Sequence, residues 1–407
     1  MKKIALISLF ALAAFVASLS GLSAQNFGNR IGKIWYDEGY LYVNVPDKGV
    51  WVVDNYEPKA PKRVGFIEIP GNADIAAQGT ILFADSYDDL VCLDISNMQN
   101  IREVKRIPKV FSHRKKGFRT ADDSRIVWRN GATPNDLSAL FRQTITQISN
   151  ISNNGGTFGQ NSGTSNVLVQ NLNTPTTGGS AASSNSKGGS MACFTVAGNY
   201  MYAIDAQYLH VFDIKKPSDP QKVGNGIFVG TDIETIFSVD QKLFIGSALG
   251  MFIYDLVNPA NPQRLGQYEH TRSCDPVVVE GNYAYVTLRD GTDCRGGVNQ
   301  LDILDISNPS RPRKMKTYNM TNPHGLGIDN GVLFICDGAA GLKVFDAKEP
   351  NRIEEIARFQ GINTFDVIPV GSKKNLIMVG NDRIMQYDYK DVKNIHLLSD
   401  FSVFDVN

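Results

Sequence analysis

Apolar residues in this chain come in short bursts, not in helical stripes, and the bursts follow one recurring phrase. The phrase is an apolar strand, a turn with Gly or Asn, a second strand, a short loop, then a strand ending in Asp. Its clearest copy is VVVEGNYAYVTL followed by NQLDILDISNPSRPRKMKTY. Others are GNYMYAIDAQYLHVFDIKKPSDPQKVG, QKLFIGSALGMFIYDLVNPANPQRLG, GVLFICDGAAGLKVFDAKEP and GYLYVNVPDKGVWVVDNYEPKAPKRVG. TILFADSYDDLVCLDISNMQNIREV and NLIMVGNDRIMQYDYKDVKNIHLL are weaker copies. LDILDI and LKVFD cluster or alternate β-branched and aromatic residues over strand lengths, which argues for strands.

The aspartates that end the phrase are Asp54, Asp94, Asp213, Asp255, Asp305, Asp346 and Asp388. Most stand about 40 residues apart, the period of a four-stranded propeller blade. An Asp carboxylate accepts the amide two residues on and so shapes a turn. The Pro of SNPSRP or VNPANP then ends the strand. These residues are read as structural. One four-stranded sheet cannot bury both its faces, whereas a ring of sheets buries each against its neighbours. The pattern therefore predicts an all-β fold, a seven-bladed β-propeller forming a single domain over 25–407. Ile31–Trp35 would supply the first inner strand, and Phe401–Val406 would complete the last outer edge.

LDILDISNPSRP, LHVFDIKKPSDP and LKVFDAKEP resemble the LVIVD repeat of exported bacterial propeller-like proteins. The resemblance covers nearly all of the chain after residue 25 apart from one insertion. Asp94-Ile95-Ser96 lacks the following Pro, and Asp388-Tyr389-Lys390 lacks both prolines, so the second and seventh copies depart from the pattern. The resemblance implies a propeller in a periplasmic or surface setting. It implies no reaction, because one fold hosts many functions.

The insertion spans 112–190. It opens with a basic run (His113, Arg114, Lys115, Lys116, Arg119) read as a solvated face. An amphipathic helix follows over about 134–149, with Thr133 as N-cap, Pro134 at the first position and Asp136 in the first turn. Leu137, Leu140, Phe141, Ile145 and Ile148 share one face, suited to a brace on the propeller or to a partner. The Gly/Ser/Asn-rich remainder, 150–190, has a composition that cannot bury a core and is expected to be a flexible segment.

At the other end of the chain, Lys2 and Lys3 precede an apolar run from Ile4 to Leu19 and a small-residue site at Leu22-Ser23-Ala24. That is the pattern of a signal peptide over 1–24, an uncleaved anchor being the alternative. Export to the periplasm, the outer surface or the medium is expected, with no transmembrane segment left after cleavage. Lys+Arg and Asp+Glu are both 41, so no global charge draws the chain to nucleic acid. A monomer is expected.

If the first strand of each blade is innermost, its start and the blade-to-blade connections share one end of the ring. The insertion then rises over that end. Aligning the blades places Glu234, Asp275, His324 and Asp366 there, against Gly32, Asn72 (or Asp74) and Ala192 in the first three blades. Three carboxylates and an imidazole would bind a divalent cation or a cationic ligand, or shift one another's acidity. A hydrated polar channel is the alternative. Cys274 and Cys294 belong to the same end of blade five, where a disulfide would pin the loop RDGTDCRGGVNQ and contribute about 3 kcal/mol. Two free thiols are the alternative, and Cys336 is a competing partner. Cys92 and Cys193 are read as small buried apolar residues.

No H-E-x-x-H, G-x-S-x-G, P-loop or Rossmann fingerprint is present. The leading expectation is a non-enzymatic binding or protein-interaction module of the cell envelope, facing an envelope or extracellular protein or a small ligand. The alternative is a metal-dependent hydrolase or lyase built on the four polar positions around one divalent cation in the channel. A structural subunit is a third reading.

Overall fold

A computed structural model describes residues 31–112, 125–136, 187–270, 276–290, 297–380 and 382–405. The signal-peptide pattern, Asp275, Cys274, Cys294, the basic run of the insertion, most of its expected helix and most of its Gly/Ser/Asn-rich stretch lie outside them.

The described residues form a seven-bladed β-propeller of antiparallel sheets, six of them four-stranded and that of blade 1 extended to six strands. Blade 1 is Ile34–Asp37, Tyr40–Val45, Gly49–Asp54 and Lys62–Glu68, and the inner strands of the others start at Ile75, Phe194, Ile233, Val277, Leu326 and Thr364. Alternation along a strand decides which neighbour each side chain meets. In Asn375–Gly380 of blade 7, Leu376 and Met378 pack with Phe334 and Val344 of blade 6. Ile377 and Val379 pack instead with Leu41 and Val43 of blade 1. Both faces are buried, which is why these strands read as near-continuous apolar runs.

Each repeat-ending aspartate accepts the amide two residues on, at 2.9–3.1 Å, in all seven blades. Just beyond that turn, every blade shifts register between its third and fourth strands, from Val52/Val53 in blade 1 to Gln386/Tyr387 in blade 7. Such bulges add twist to the edge strand. Charged residues of outer strands, such as Arg102 and Glu103, stay exposed and blunt those edges against pairing.

The ring closes without a shared sheet. Blade 7 is built wholly from C-terminal strands and ends with His396–Phe401. The tail that follows crosses to blade 1 instead of extending blade 7. Val403 is buried among blade 1 side chains, and Arg63 Nη1 donates to the carbonyls of Val403 and Asp405.

The insertion brackets blade 1. Val127–Asn130 pairs along its outer strand, where Arg129 meets Glu68 at 2.7 Å. A helical turn begins at Pro134, and Thr133 donates to Asp136 from both backbone and hydroxyl at 2.8 Å. At the other edge, Lys187–Gly188 pairs antiparallel with Tyr36 and Trp35 inside the central channel. Residues 187–190 are therefore held by the sheet and do not belong to the flexible stretch. Backbone pairing to an otherwise open inner edge outweighs their composition.

Candidate functional site

Inner strands start at one end of the channel and turn back at the other. At the starting end, the strand pairings corrects the expected register by one residue. Val367 pairs with Met378 as Ile75 pairs with Ala84, so Asp366 is equivalent to Asp74, Lys33 and Gly325. Glu234 and His324 stand one position earlier. The turn of blade 7, between Val370 and Asn375, is two residues longer than that between Glu280 and Tyr283, which disguises the slip in the sequence.

Asp74 and Asp366 each accept the amide of the next residue, Ile75 at 2.7 Å and Val367 at 2.9 Å. Asp74 also takes the amide of Cys193, tying blade 2 to blade 3. Lys33 lies in the blade between them, its Nζ 3.9 Å from Asp74 Oδ2 and 3.6 Å from Cys193 Sγ. Cys193 donates to Glu234 O at 3.2 Å, so this thiol is partly exposed and hydrogen-bonded, not an apolar filler. Burial raises the Asp366 carboxyl to about 6, against the opposing pull of the Val367 amide and Lys33. A Cβ on Gly189 or Gly325 would stand 1.9 or 2.1 Å from an Asp366 oxygen, so only glycine fits either side of it.

The chain itself closes this end. Ser190 Oγ accepts the Leu326 amide at 2.8 Å and donates to Asp366 at 3.3 Å, while Ala192 O accepts the Ile236 amide at 2.8 Å. With Gly188 on blade 1 and Cys193 on Asp74, six residues touch five blades. The plug was not legible in a Gly/Ser stretch. The shared dipeptides Asp74-Ile75 and Asp366-Val367, each an Asp before a β-branched residue, were the available sign of the true register.

The structure thus brings His324 and Asp366 to neighbouring blades at one end, with the His324 ring 4.8 Å from that of Phe365. Glu234 sits at an irregularity opening the inner strand of blade 4. Asp275 is outside the described residues, and among those residues no three metal-ligating side chains converge. Cys274 and Cys294 are likewise outside. Cys336, the competing thiol, is fully buried and pushed well up by that burial, and Cys92 is pushed up to about 12 in the same way.

Below the plug the channel widens into a cavity of about 600 Å³. Trp35, Phe194, Phe237 and Ile328 form its walls, and Lys187 reaches into it. Glu280 on the wall accepts the Gly331 amide at 2.7 Å, and Asp329 is paired with Lys374 at 2.6 Å. A second recess, of about 350 Å³, lies on blade 4 between Leu249, Phe252, Tyr268 and His270.

A family profile for the LVIVD repeat matches residues 31–65, 71–107, 188–226 and 271–320. The chain is an LVIVD-repeat propeller. The matched repeats are blades 1, 2, 3 and 5, so blade 2 is recognised in spite of its missing Pro. Blades 4, 6 and 7 carry the same four strands outside the matched segments. No curated protein sequence matches the chain. Among solved structures, the LVIVD-repeat propeller is similar to a Lactobacillus plantarum protein at 10% identity and TM-score 0.54, covering 91% of this chain and 96% of that one. It is also similar to Kluyveromyces lactis Hsv2 at 11% identity and TM-score 0.50, covering 92% and 100%. The computationally designed Ika8 protein matches at 11% and 0.50, covering 92% and 87%. At such identities these likenesses speak for the fold alone.

Proposed function

We propose that this LVIVD-repeat propeller is a protein-interaction module that works in the cell envelope or outside the cell. The observation that carries the reading is an apolar rim on blades 3 and 4. Phe228 is 59% exposed and Leu249 is 49% exposed, two of the seven large apolar side chains left exposed among the described residues. Leu249 borders the recess with Phe252, Tyr268 and His270. Phe228 stacks edge-on against Tyr208 at 5.5 Å, two residues before Gly230, which faces the Phe252 ring. Aromatic and aliphatic groups gathered at one rim suit the buried centre of a protein interface. At the starting end of the channel, by contrast, Asp74 and Asp366 are engaged by backbone amides and hold the ring together. Lys2-Lys3, the apolar run to Leu19 and Leu22-Ser23-Ala24 support the exported setting.

The test compares tagged wild type with a Phe228→Asp, Leu249→Asp variant by chemical cross-linking in intact cells, followed by fractionation. A discrete cross-linked partner in the envelope or external fraction, lost in the variant while its thermal unfolding is unchanged, is the expected result. Identical cross-links from both proteins, or none from either, would overturn the reading.

A further inference from the structure

The channel cavity carries a second, separate chemistry. Its rim is formed at the turn end of the inner strands by Asp240, Gly281 and Ser372, all exposed, so the cavity opens to solvent away from the plug. Among the described residues its one lysine is Lys187, fixed by strand pairing with Tyr36. Among the described residues the ammonium has a single hydrogen bond, to Pro369 O at 3.3 Å, and no carboxylate within ion-pair distance. Asp329, a carboxylate on the same wall, is already paired with Lys374 and bonded to the Tyr389 hydroxyl at 3.0 Å. The amine therefore stands beside Trp35, Phe237 and Ile328 with its three donors largely unused.

We propose that Lys187 is a reactive amine that condenses with a small neutral carbonyl compound, an aldehyde or ketone, bound in the channel cavity. The cavity's composition selects that class. An anionic ligand would meet Glu280, Asp329 and Asp240, and a cationic one would meet Lys187, whereas a neutral carbonyl with an apolar body fits the aromatic walls. Desolvation lowers the pKa of this ammonium against the opposing fields of Asp329 and Glu280, so a larger share of the amine is unprotonated at neutral pH than at a solvated lysine. In the step itself the nitrogen lone pair forms a bond to the carbonyl carbon and the C=O pair moves to oxygen. A proton passes from nitrogen to that oxygen through the solvent to which the cavity is open. Loss of water then leaves the C=N bond, with no change in oxidation state.

The experiment incubates the folded full chain at pH 7 with propionaldehyde and cyanoborohydride, then maps propylated lysines by peptide mass spectrometry over time. Lys187 is expected to be modified faster than the exposed Lys62. Its rate should also level off at a lower pH. Lys187→Arg keeps a donor for Pro369 O but forms no reducible imine, so the variant should unfold at the wild-type temperature and lose only the fast label. Labelling of Lys187 no faster than Lys62 would overturn the proposal. A fast label that persists in Lys187→Arg would do the same, by assigning the reactivity to another lysine.

Discussion

Asp74 and Asp366 occupy the same position in blades 2 and 7, and each turns its carboxylate onto the amide of the residue that follows it, at 2.7 and 2.9 Å. Lys33 of blade 1 stands between them, and the plug residues Cys193 and Ser190 complete the set. The starting end of the channel is therefore a hydrogen-bonded belt across the ring seam, with the chain's own return segment built into it.

Asp366 makes the stability of that belt depend on pH. Its folded carboxyl titrates at about 6, above its ordinary 3.8, because burial penalises the charged form. A raised folded value means that the associated stability is full below about 3.8 and is lost as pH rises through about 6. Asp366→Asn keeps the oxygen that accepts the Val367 amide and removes the charge. Urea unfolding should show the variant more stable than wild type by about 2–3 kcal/mol at pH 8, with the gap closing toward pH 4. Parallel pH curves for the two proteins would refute this account.

Asp305 titrates in the opposite sense. Hydrogen bonds from the Ser307 side chain and amide, with Arg313 beside it, hold its carboxyl down at about 2. A lowered folded value gives stability that is present above the ordinary 3.8 and lost as pH falls through about 2. Asp305→Ala should lower the melting temperature at pH 7, and the difference from wild type should shrink toward pH 2. Asp305→Asn, which keeps the turn acceptor, should lose less. Equal losses in both variants would show that charge, not the turn bond, is what matters.

How much of this the chain declares in advance depends on the range of the interactions. Asp54 through Asp388 mark turns by a bond spanning two residues, so their meaning is local and readable, and seven such marks give the blade number. The strand faces follow from period-two alternation in the same way. The candidate site is less legible, because Asp366 is placed by a turn two residues longer than that of blade 5. The plug is the least legible part. Ser190 sits in a low-complexity run, yet it is fixed by Leu326 and Asp366, more than 130 residues away in sequence. No local propensity encodes a partner at that distance.

Blade 6 holds a buried ion pair of a kind the exposed turns lack. Lys343 Nζ lies 2.5 Å from Asp337 Oδ2, with side chains 8% and 0% exposed, and Asp337 also accepts the amides of Thr321 and Asn322. Removing one partner strands the other charge in a low-dielectric site, which costs about 3–5 kcal/mol. Lys343→Met should destabilise by that order. Arg313→Met, which breaks an exposed pair at the rim, should be close to neutral by comparison. Denaturant midpoints of the two variants decide the matter, and a small effect of Lys343→Met would mean that water or a nearby group replaces the ammonium.

Gln386 is the residue on which ring closure turns. Its amide exchanges both hydrogen bonds with Asn55 of blade 1, at 2.9 and 2.6 Å, across 331 residues of chain. It also accepts from Asn375 at 2.9 Å and donates to Pro58 O and Ser399 Oγ at 3.2 Å. Gln386 and Asn55 are fully buried, so each group left without a partner costs about 1–3 kcal/mol. Because blades 1 and 7 share no sheet, the seam is held by side-chain packing, by this network, by the tail bonded to Arg63 and by the plug segment. Gln386→Leu conserves the apolar contact but strands Asn55 and Asn375, and it should cost about 2–5 kcal/mol in global stability. It should also separate the seam from the rest of the ring. Hydrogen exchange should quicken in Gly49–Asp54 and Ile384–Asp388 while the inner strands of blade 4 keep their protection. Exchange that quickened evenly in all seven blades would instead mean that the ring unfolds as one unit, with closure secured by the hydrophobic contact of Ile377 and Val379 against Leu41 and Val43.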